Sequence, residues 1–181
     1  TWYLCDEMVA FFQQLLARRP DARFLVVTPE PQWAAAHRLM RAHSGLEAHV
    51  TIVSSTPEAV PQHLATAQAG LAFIRPAFSK QFSSPTKIGE YLASGMPVVV
   101  NRGVGDLDHF ISRHRIGVVL PSLEPAGYRQ GLEELAVLLR DETLAARCRA
   151  AAREHLSLSL GRQRYWSAYQ ALLAAGSPSR S

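Results

Sequence analysis

The chain has 181 residues, 48% hydrophobic and 19% charged, with a net charge of +4 and an isoelectric point near 9.4. This length supports one domain with a proper core, and no apolar run is long enough to span a bilayer, nor is a signal peptide visible. The basic excess is spread along helices, as at Arg147, Arg149 and Arg153, which reads as a solvated helix face rather than a nucleic-acid-binding arm and leaves only a weak attraction to anionic lipid headgroups. Cys5 and Cys148 are far apart and read as reduced thiols. The seven histidines lack ligand spacing, so no metal site is expected.

Met8, Phe11, Phe12, Leu15 and Leu16 recur at helical spacing and predict an amphipathic helix from Asp6 to Arg19. Phe24–Thr28 reads as a strand ended by Pro29 and Pro31. Gln32–Ser44 reads as a helix stopped near Gly45, and Ala48–Val53 as a second strand. The polar turn Ser54-Ser55-Thr56-Pro57 leads into short helical pieces up to Ala69. A third strand, Gly70–Ile74, opens into a long loop from Arg75 to Ser84. A helix from Pro85 to Ser94 and a strand from Pro97 to Asn101 follow. The Gly-rich turn Arg102–Asp106 leads to a helix over Leu107–Arg115 and a strand over Gly117–Leu120. Three more helices are expected, over Ala126–Leu139, Glu142–His155 (capped by Asp141) and Arg162–Ala175. The tail Gly176–Ser181 is expected to be disordered.

Alternating helices and short apolar strands predict an α/β domain over residues 1–175, a doubly wound Rossmann-like parallel sheet with helices on both faces. A helix comes first, preceded only by Thr1-Trp2-Tyr3. A doubly wound domain usually opens with a strand, so the first strand is expected to be missing. Ligands of such sheets bind beyond the carboxyl ends of the strands. Thr28, Ser54-Ser55, Arg75, Asn101 and Gly103-Val104-Gly105-Asp106 lie there.

The most informative stretch runs from Phe82 to Asn101. Ser84 suits a helix N-cap and Pro85 the first helical position. Gly95 suits a left-handed stop, and Pro97 prevents resumption. Val98-Val99-Val100 shows no polar alternation, as expected of a strand covered on both faces. A helix start offers free N–H donors and a positive dipole end to an anion, and Lys87 adds a full charge. Ser83, Ser84, Thr86 and Lys87 form a candidate diphosphate cradle, Glu90 a candidate acceptor for sugar hydroxyls, Arg75 a phosphate or sugar contact, and Ser54 and Ser55 a nucleobase contact. Lys80 and Lys87, the chain's only lysines, both flank this loop. A lysine is a compact point charge suited to phosphate. An ordinary capped helix, and a solvated Glu90 paired with Lys87 at i, i+3, are the plain alternatives.

Other motifs fail. Gly103-Val104-Gly105 is not a dinucleotide fingerprint, because Asp108 holds the third glycine's place. There is no P-loop lysine pattern, no strand ending in an aspartate and no Gly-x-Ser-x-Gly elbow.

With these residues in hand, the chain resembles the C-terminal, donor-binding domain of a GT-B glycosyltransferase, most of all the retaining family 4 group (glycosyl transferases group 1). Many members carry a Ser-Pro-Thr-Lys-x-x-Glu-Tyr-Leu-Ala-x-Gly-x-Pro-Val-Val segment, here Ser84 to Val99. The likeness includes Gly70–Pro76 and Asn101–Asp106, and fades toward Trp2 and Leu173. The resemblance implies one half of a GT-B fold and transfer of a sugar from a nucleotide diphosphate sugar to an acceptor hydroxyl, with retention. Glu90 matches the ribose-binding glutamate, Ser84, Thr86 and Lys87 the diphosphate and sugar region, and Ser54-Ser55 the turn near the base. It implies no cofactor beyond the donor itself. An acceptor glycan or lipid would bind through a missing N-terminal domain, in a cytoplasmic protein compatible with peripheral attachment at the inner membrane face. No catalytic residue is assigned.

The sequence also departs from the family pattern. A second glutamate, common eight residues before the ribose glutamate, is replaced by Phe82. The Gly-rich turn after the family's first strand is absent, and no basic pair follows Thr28; Lys87, Lys80 or Arg75 would have to substitute. The isolated chain is expected to bind nucleotide weakly and to transfer nothing. The alternatives are a non-hydrolysing sugar-nucleotide epimerase domain and a non-catalytic nucleotide-binding module.

Overall fold

Backbone pairing brings the strands together in parallel, in two groups. The computed structural model describes residues 2–43, 45–78 and 86–175. Its elements are α1 (Cys5–Leu16), β1 (Phe24–Thr28), α2 (Glu30–Arg41), β2 (Val50–Ser54), α3 (Val60–Leu64), β3 (Gly70–Ala72), α4 (Thr86–Ala93), β4 (Val98–Asn101), α5 (Leu107–His114), β5 (Gly117–Leu120), α6 (Pro125–Leu138), α7 (Leu144–His155) and α8 (Leu158–Ala175). The strands β1 and β2 pair from Phe24↔Val50 to Thr28↔Ser54. The other three follow the order β3-β4-β5, with Gly70 opposite Val98 and Val98 opposite Gly117. The α/β character and parallel pairing match the sequence reading. The expected single sheet is instead two, since no ladder joins β1 to β3 among the described residues.

Both faces of the β3-β4-β5 sheet are covered, which explains the unbroken apolar run in β4. Alternate residues point to opposite faces. Ala72, Ile74, Val98 and Val100 face a core completed by Ile88 and Leu92 of α4, Leu107 and Ile111 of α5, and Leu144, Cys148 and Ala151 of α7. Phe73, Val99, Val118 and Leu120 face a second core with Phe11 of α1 and Tyr128, Leu132 and Leu135 of α6. Phe11 meets both Phe73 and Tyr128 edge-on, at 5.7 and 5.8 Å between ring centroids. The Tyr128 hydroxyl donates to Glu7, tying α6 to α1. Val9 and Phe12, on the other side of α1, enter a third core with Leu46, Phe24 and Val50. Thus α1 contributes side chains to the cores of both sheets.

Two glycines fix the placement of α4. At the end of that helix Gly95 adopts φ +82°. Its N–H donates to Leu92 O at 2.9 Å and that of Met96 to Tyr91 O at 3.0 Å, the paired bonds of a left-handed helix stop. At the start of β3, a Cβ on Gly70 would run into the Tyr91 ring, so only glycine lets α4 lie this close.

Boundaries moved where local hydrogen bonds decide them. The last two residues of the expected third strand leave the ladder: Ile74 forms an antiparallel bridge with Tyr3. The helix expected from Glu142 starts at Leu144, after a turn in which Asp141 Oδ1 accepts from Thr143 N at 2.9 Å and Thr143 Oγ1 at 2.6 Å. Asp141 Oδ2 also takes Arg147 Nη1 at 2.6 Å, so the aspartate does organise the helix start, from outside it. Helix α8 begins at Leu158, four residues earlier than the pattern suggested, and leaves Tyr165, Trp166, Tyr169 and Leu172 exposed. The expectation for Gly176–Ser181 lies outside the described residues. No helix among them is long and apolar enough to cross a membrane.

One side chain continues the β3–β4 ladder. Asn101 is 4% exposed. Its Oδ1 accepts from Ile74 N at 2.7 Å, and its Nδ2 donates to Ile74 O at 2.8 Å and to Arg102 O at 3.0 Å. The carboxamide thereby replaces a strand rung, as a buried polar group requires.

Two outcomes follow for stability. Asn101→Leu keeps the volume but orphans the Ile74 N–H and C=O, and should cost about 2–5 kcal/mol in urea denaturation. The Asp141 carboxyl is held at about 2, against 3.8 ordinarily, by hydrogen bonds from Thr143 and Arg147. A depressed folded-state value adds stability that is complete above 3.8 and lost as pH falls through about 2. Asp141→Ala should therefore lower the melting temperature at neutral pH, with a difference that closes toward pH 2.

Candidate functional site

The carboxyl end of β3 and the start of α4 converge on Lys87. Lys87 lies in the first turn of α4, half-buried, with its Nζ 3.6 Å from the centroid of the Tyr3 ring. Burial lowers its pKa from the usual 10.5, with smaller opposing contributions from Cys5 and Glu90. The segment that brings Tyr3 here runs beside the end of β3: Leu4 N donates to Phe73 O at 3.0 Å and Arg75 N to Trp2 O at 2.9 Å. Asn101 grips Ile74 from the opposite edge. The segment that carries the ring is thus paired through its backbone to the end of β3, which the Asn101 side chain fixes from its other edge.

The other groups around Lys87 are uncharged or exposed. Burial raises the Tyr3 phenol, as does the nearby Glu90 charge. Burial also raises the Cys5 thiol, against the pull of Lys87. Tyr91 is pushed up to about 12 by burial, then by Tyr3 and Glu90. All three are therefore neutral at physiological pH. Glu90 is exposed one turn along α4. Among the described residues no ion pair joins it to Lys87, so the plain i, i+3 pair considered from the sequence is not formed. A half-buried lysine that no carboxylate pairs among the described residues is a ready contact for an anion, because no such pair must first be broken.

The remaining candidates divide. Thr86 is exposed at the first position of α4. Arg75 is also exposed, and its backbone N–H donates to Trp2 O. Arg75, Thr86, Lys87 and Glu90 therefore belong to one edge, the carboxyl side of β3 and β4. Ser54 and Ser55 end β2 in the other sheet, where Ser55 N donates to Thr28 O at 3.1 Å and Ser55 Oγ to Thr56 O at 3.1 Å. They share the carboxyl end of their own sheet, β1-β2, whereas Lys87 lies beside β3. Ser83 and Ser84, with Lys80 and Phe82, lie outside the described residues.

Asn101 turns inward, so it serves the ladder rather than a ligand. The turn after it places Gly103 and Gly105 at positive φ, with Gly103 N donating to Asp108 Oδ2 at 3.3 Å. Among the described residues no three or more His, Cys, Asp and Glu side chains gather in a metal-binding arrangement. Two clefts lie away from this edge, one beside Gly95–Pro97 at the amino end of β4 and one between α4 and α7 at Ala93 and Arg153. Sequence reasoning missed Tyr3 and Cys5. Tyr3 stands in a short apolar segment directly before a helix and Cys5 at that helix's first position, and the strand end that this segment meets could not be read from spacing.

Parallel strands with covered faces and a lysine-bearing helix start at their carboxyl edge define an α/β domain of the type whose ligands gather beyond the carboxyl ends of the strands. The chain belongs to the family described as glycosyl transferases group 1, whose model matches residues 4–137. Among solved structures it is similar to AviGT4, a glycosyltransferase involved in avilamycin A biosynthesis, with a TM-score of 0.66 at 21% identity, covering 98% of this chain and 49% of that one. It is similar to sucrose-phosphate synthase from Thermosynechococcus elongatus, with a TM-score of 0.69 at 19% identity, covering 94% and 42%. A third likeness is to a variant of S. aureus TarM in complex with fondaparinux, alpha-GlcNAc-glycerol and UDP, with a TM-score of 0.58 at 16% identity, covering 85% and 29%. The chain thus spans less than half the length of each. No functionally curated protein matches it.

The pH response of an anion site built on Lys87 has a defined sign. Its lowered pKa means that, as pH rises, the charge is lost before that of an ordinary lysine. Pyrophosphate affinity measured by calorimetry from neutral pH to 10.5 should decline earlier than for an ordinary lysine, and Lys87→Met should abolish that decline along with most of the affinity.

Proposed function

We propose that this chain is the donor-binding domain of a glycosyltransferase, which holds a nucleotide diphosphate sugar while the sugar passes to an acceptor hydroxyl with retention of configuration. The observation that carries this reading is Lys87 at the first turn of α4, resting on the Tyr3 ring and joined to no carboxylate among the described residues, with Glu90 exposed one turn further on. Lys87 and the α4 start bind the diphosphate, and Glu90 accepts from the ribose. Membership of the glycosyl transferases group 1 family supports the transferase class, and the TarM structure shows that a protein of similar fold holds UDP.

The contribution of this domain to the chemistry is electrostatic. As the bond between sugar and phosphate breaks, negative charge grows on the departing diphosphate. A fixed ammonium and preorganised N–H groups stabilise that charge more than the ground state, which is what lowers the barrier. Each neutral neighbour of Lys87 leaves its charge undiminished for this purpose. The acceptor glycan or lipid binds on a second domain beyond this chain. The isolated chain therefore binds nucleotide weakly and transfers nothing. No particular observation favours the epimerase reading. A non-catalytic nucleotide-binding module would share the Lys87 site but have no use for a partner domain.

Calorimetry with UDP, GDP, ADP and CMP and their sugars tests this directly. The expected result is a preference for nucleoside diphosphates, reduced by about tenfold or more in Glu90→Ala, the loss of one or two charge-assisted hydrogen bonds. Equal affinity in both proteins, with the fold intact by circular dichroism, would remove Glu90 from the site.

A further inference from the structure

We infer that Tyr3 is a positioning residue for the anion site, which acts by fixing the ammonium of Lys87 over its ring. This deepens the donor-binding reading and rests on it for the identity of the anion.

A lysine is a flexible stem carrying a compact charge. Left in solvent it samples many rotamers, and ordering it on a ligand costs entropy. The usual way to hold it is a carboxylate, which also cancels its charge. Here the holder is an aromatic face, with Nζ 3.6 Å from the Tyr3 centroid. A ring face attracts a cation through its quadrupole, and more strongly when both are partly desolvated, as Lys87 is. The ammonium is therefore localised while its net charge stays whole.

The placement of Tyr3 is itself built. Trp2 O and Leu4 N, one residue on either side, pair with Arg75 N and Phe73 O, and α1 begins at Cys5. Tyr3 also bridges Ile74, the residue that the Asn101 carboxamide clasps. The ring is thus fixed to the same backbone that forms the carboxyl edge of β3. Burial holds the phenol and the neighbouring thiol of Cys5 in their neutral forms, so neither offers Lys87 an anionic partner.

Tyr3 also packs against the α4–α7 core, so a purely structural role must be separated from positioning. Tyr3→Leu keeps apolar bulk without the ring face, whereas Tyr3→Phe keeps the face without the hydroxyl. Lys80 and Lys87 are the only lysines, so 13C-lysine labelling of the full chain gives two side-chain ε-methylene signals, distinguished by Lys80→Arg. We expect the Lys87 signal to be moved upfield by the ring in the wild type and in Tyr3→Phe, and to sit at the position of an exposed lysine in Tyr3→Leu. Affinity for UDP and for inorganic pyrophosphate should change less than about twofold in Tyr3→Phe and fall about tenfold in Tyr3→Leu. A Lys87 signal at the exposed position in the wild type overturns the inference. So does undiminished affinity in a folded Tyr3→Leu. If Tyr3→Leu does not fold, wild-type affinity in Tyr3→Phe together with its upfield Lys87 signal sustains the inference, and loss of either overturns it. Binding of pyrophosphate without UDP, GDP or ADP would sink the donor-binding reading and leave the role of Tyr3 standing. Binding of none of them overturns both.

Discussion

The clasp of the Asn101 carboxamide on Ile74 is the constraint on which the rest of the site depends. Beyond Ala72↔Val100 the β3–β4 ladder ends, and without a further rung the chain after β3 would be free to drift. A side-chain amide carries one donor and one acceptor in the plane of a peptide group, so it completes the rung without a third strand. Ile74, held on that side, is free to pair with the Trp2–Leu4 segment on the other. A polar residue at the end of the buried strand Val98-Val99-Val100 is therefore the keystone of the edge where ligands of such folds gather.

The fold was largely legible because its strands are bounded by strong local signals. Both β1 and β5 fall where the sequence placed them, each a short apolar run between helices and turn residues. Gly95 announces the end of α4 because only glycine adopts its conformation cheaply. The division into two sheets was not legible. Whether neighbouring strands bond is decided by which edges meet in space, and period-two patterning describes only the faces. The start of α7 was misplaced for a similar reason: Thr143, not Asp141, stands at the cap position, and Asp141 bonds to it in a turn ahead of the helix.

The candidate site was legible in its residue types and not in its surroundings. Lys87 and Glu90 stood out through their place on a short capped helix, and both lie at the carboxyl edge of β3 and β4. The sequence allowed them to pair with each other, and nothing in the i, i+3 spacing argued against it. What turns Lys87 aside is the Tyr3 ring, eighty-four positions away in the chain. Contacts of that range leave no trace in spacing. Ser54-Ser55 shows the converse, a turn readable from the sequence whose distance from the Lys87 edge depends on how two sheets are held together.

Helix α1 serves as the shared beam between those sheets. Val9 and Phe12 are seated in one core and Phe11 in the other. Peeling this helix away would expose apolar surface on both halves at once, so neither half can loosen alone without carrying the other with it. The two halves of the domain should in consequence melt as a single cooperative unit, even though no ladder joins their strands among the described residues.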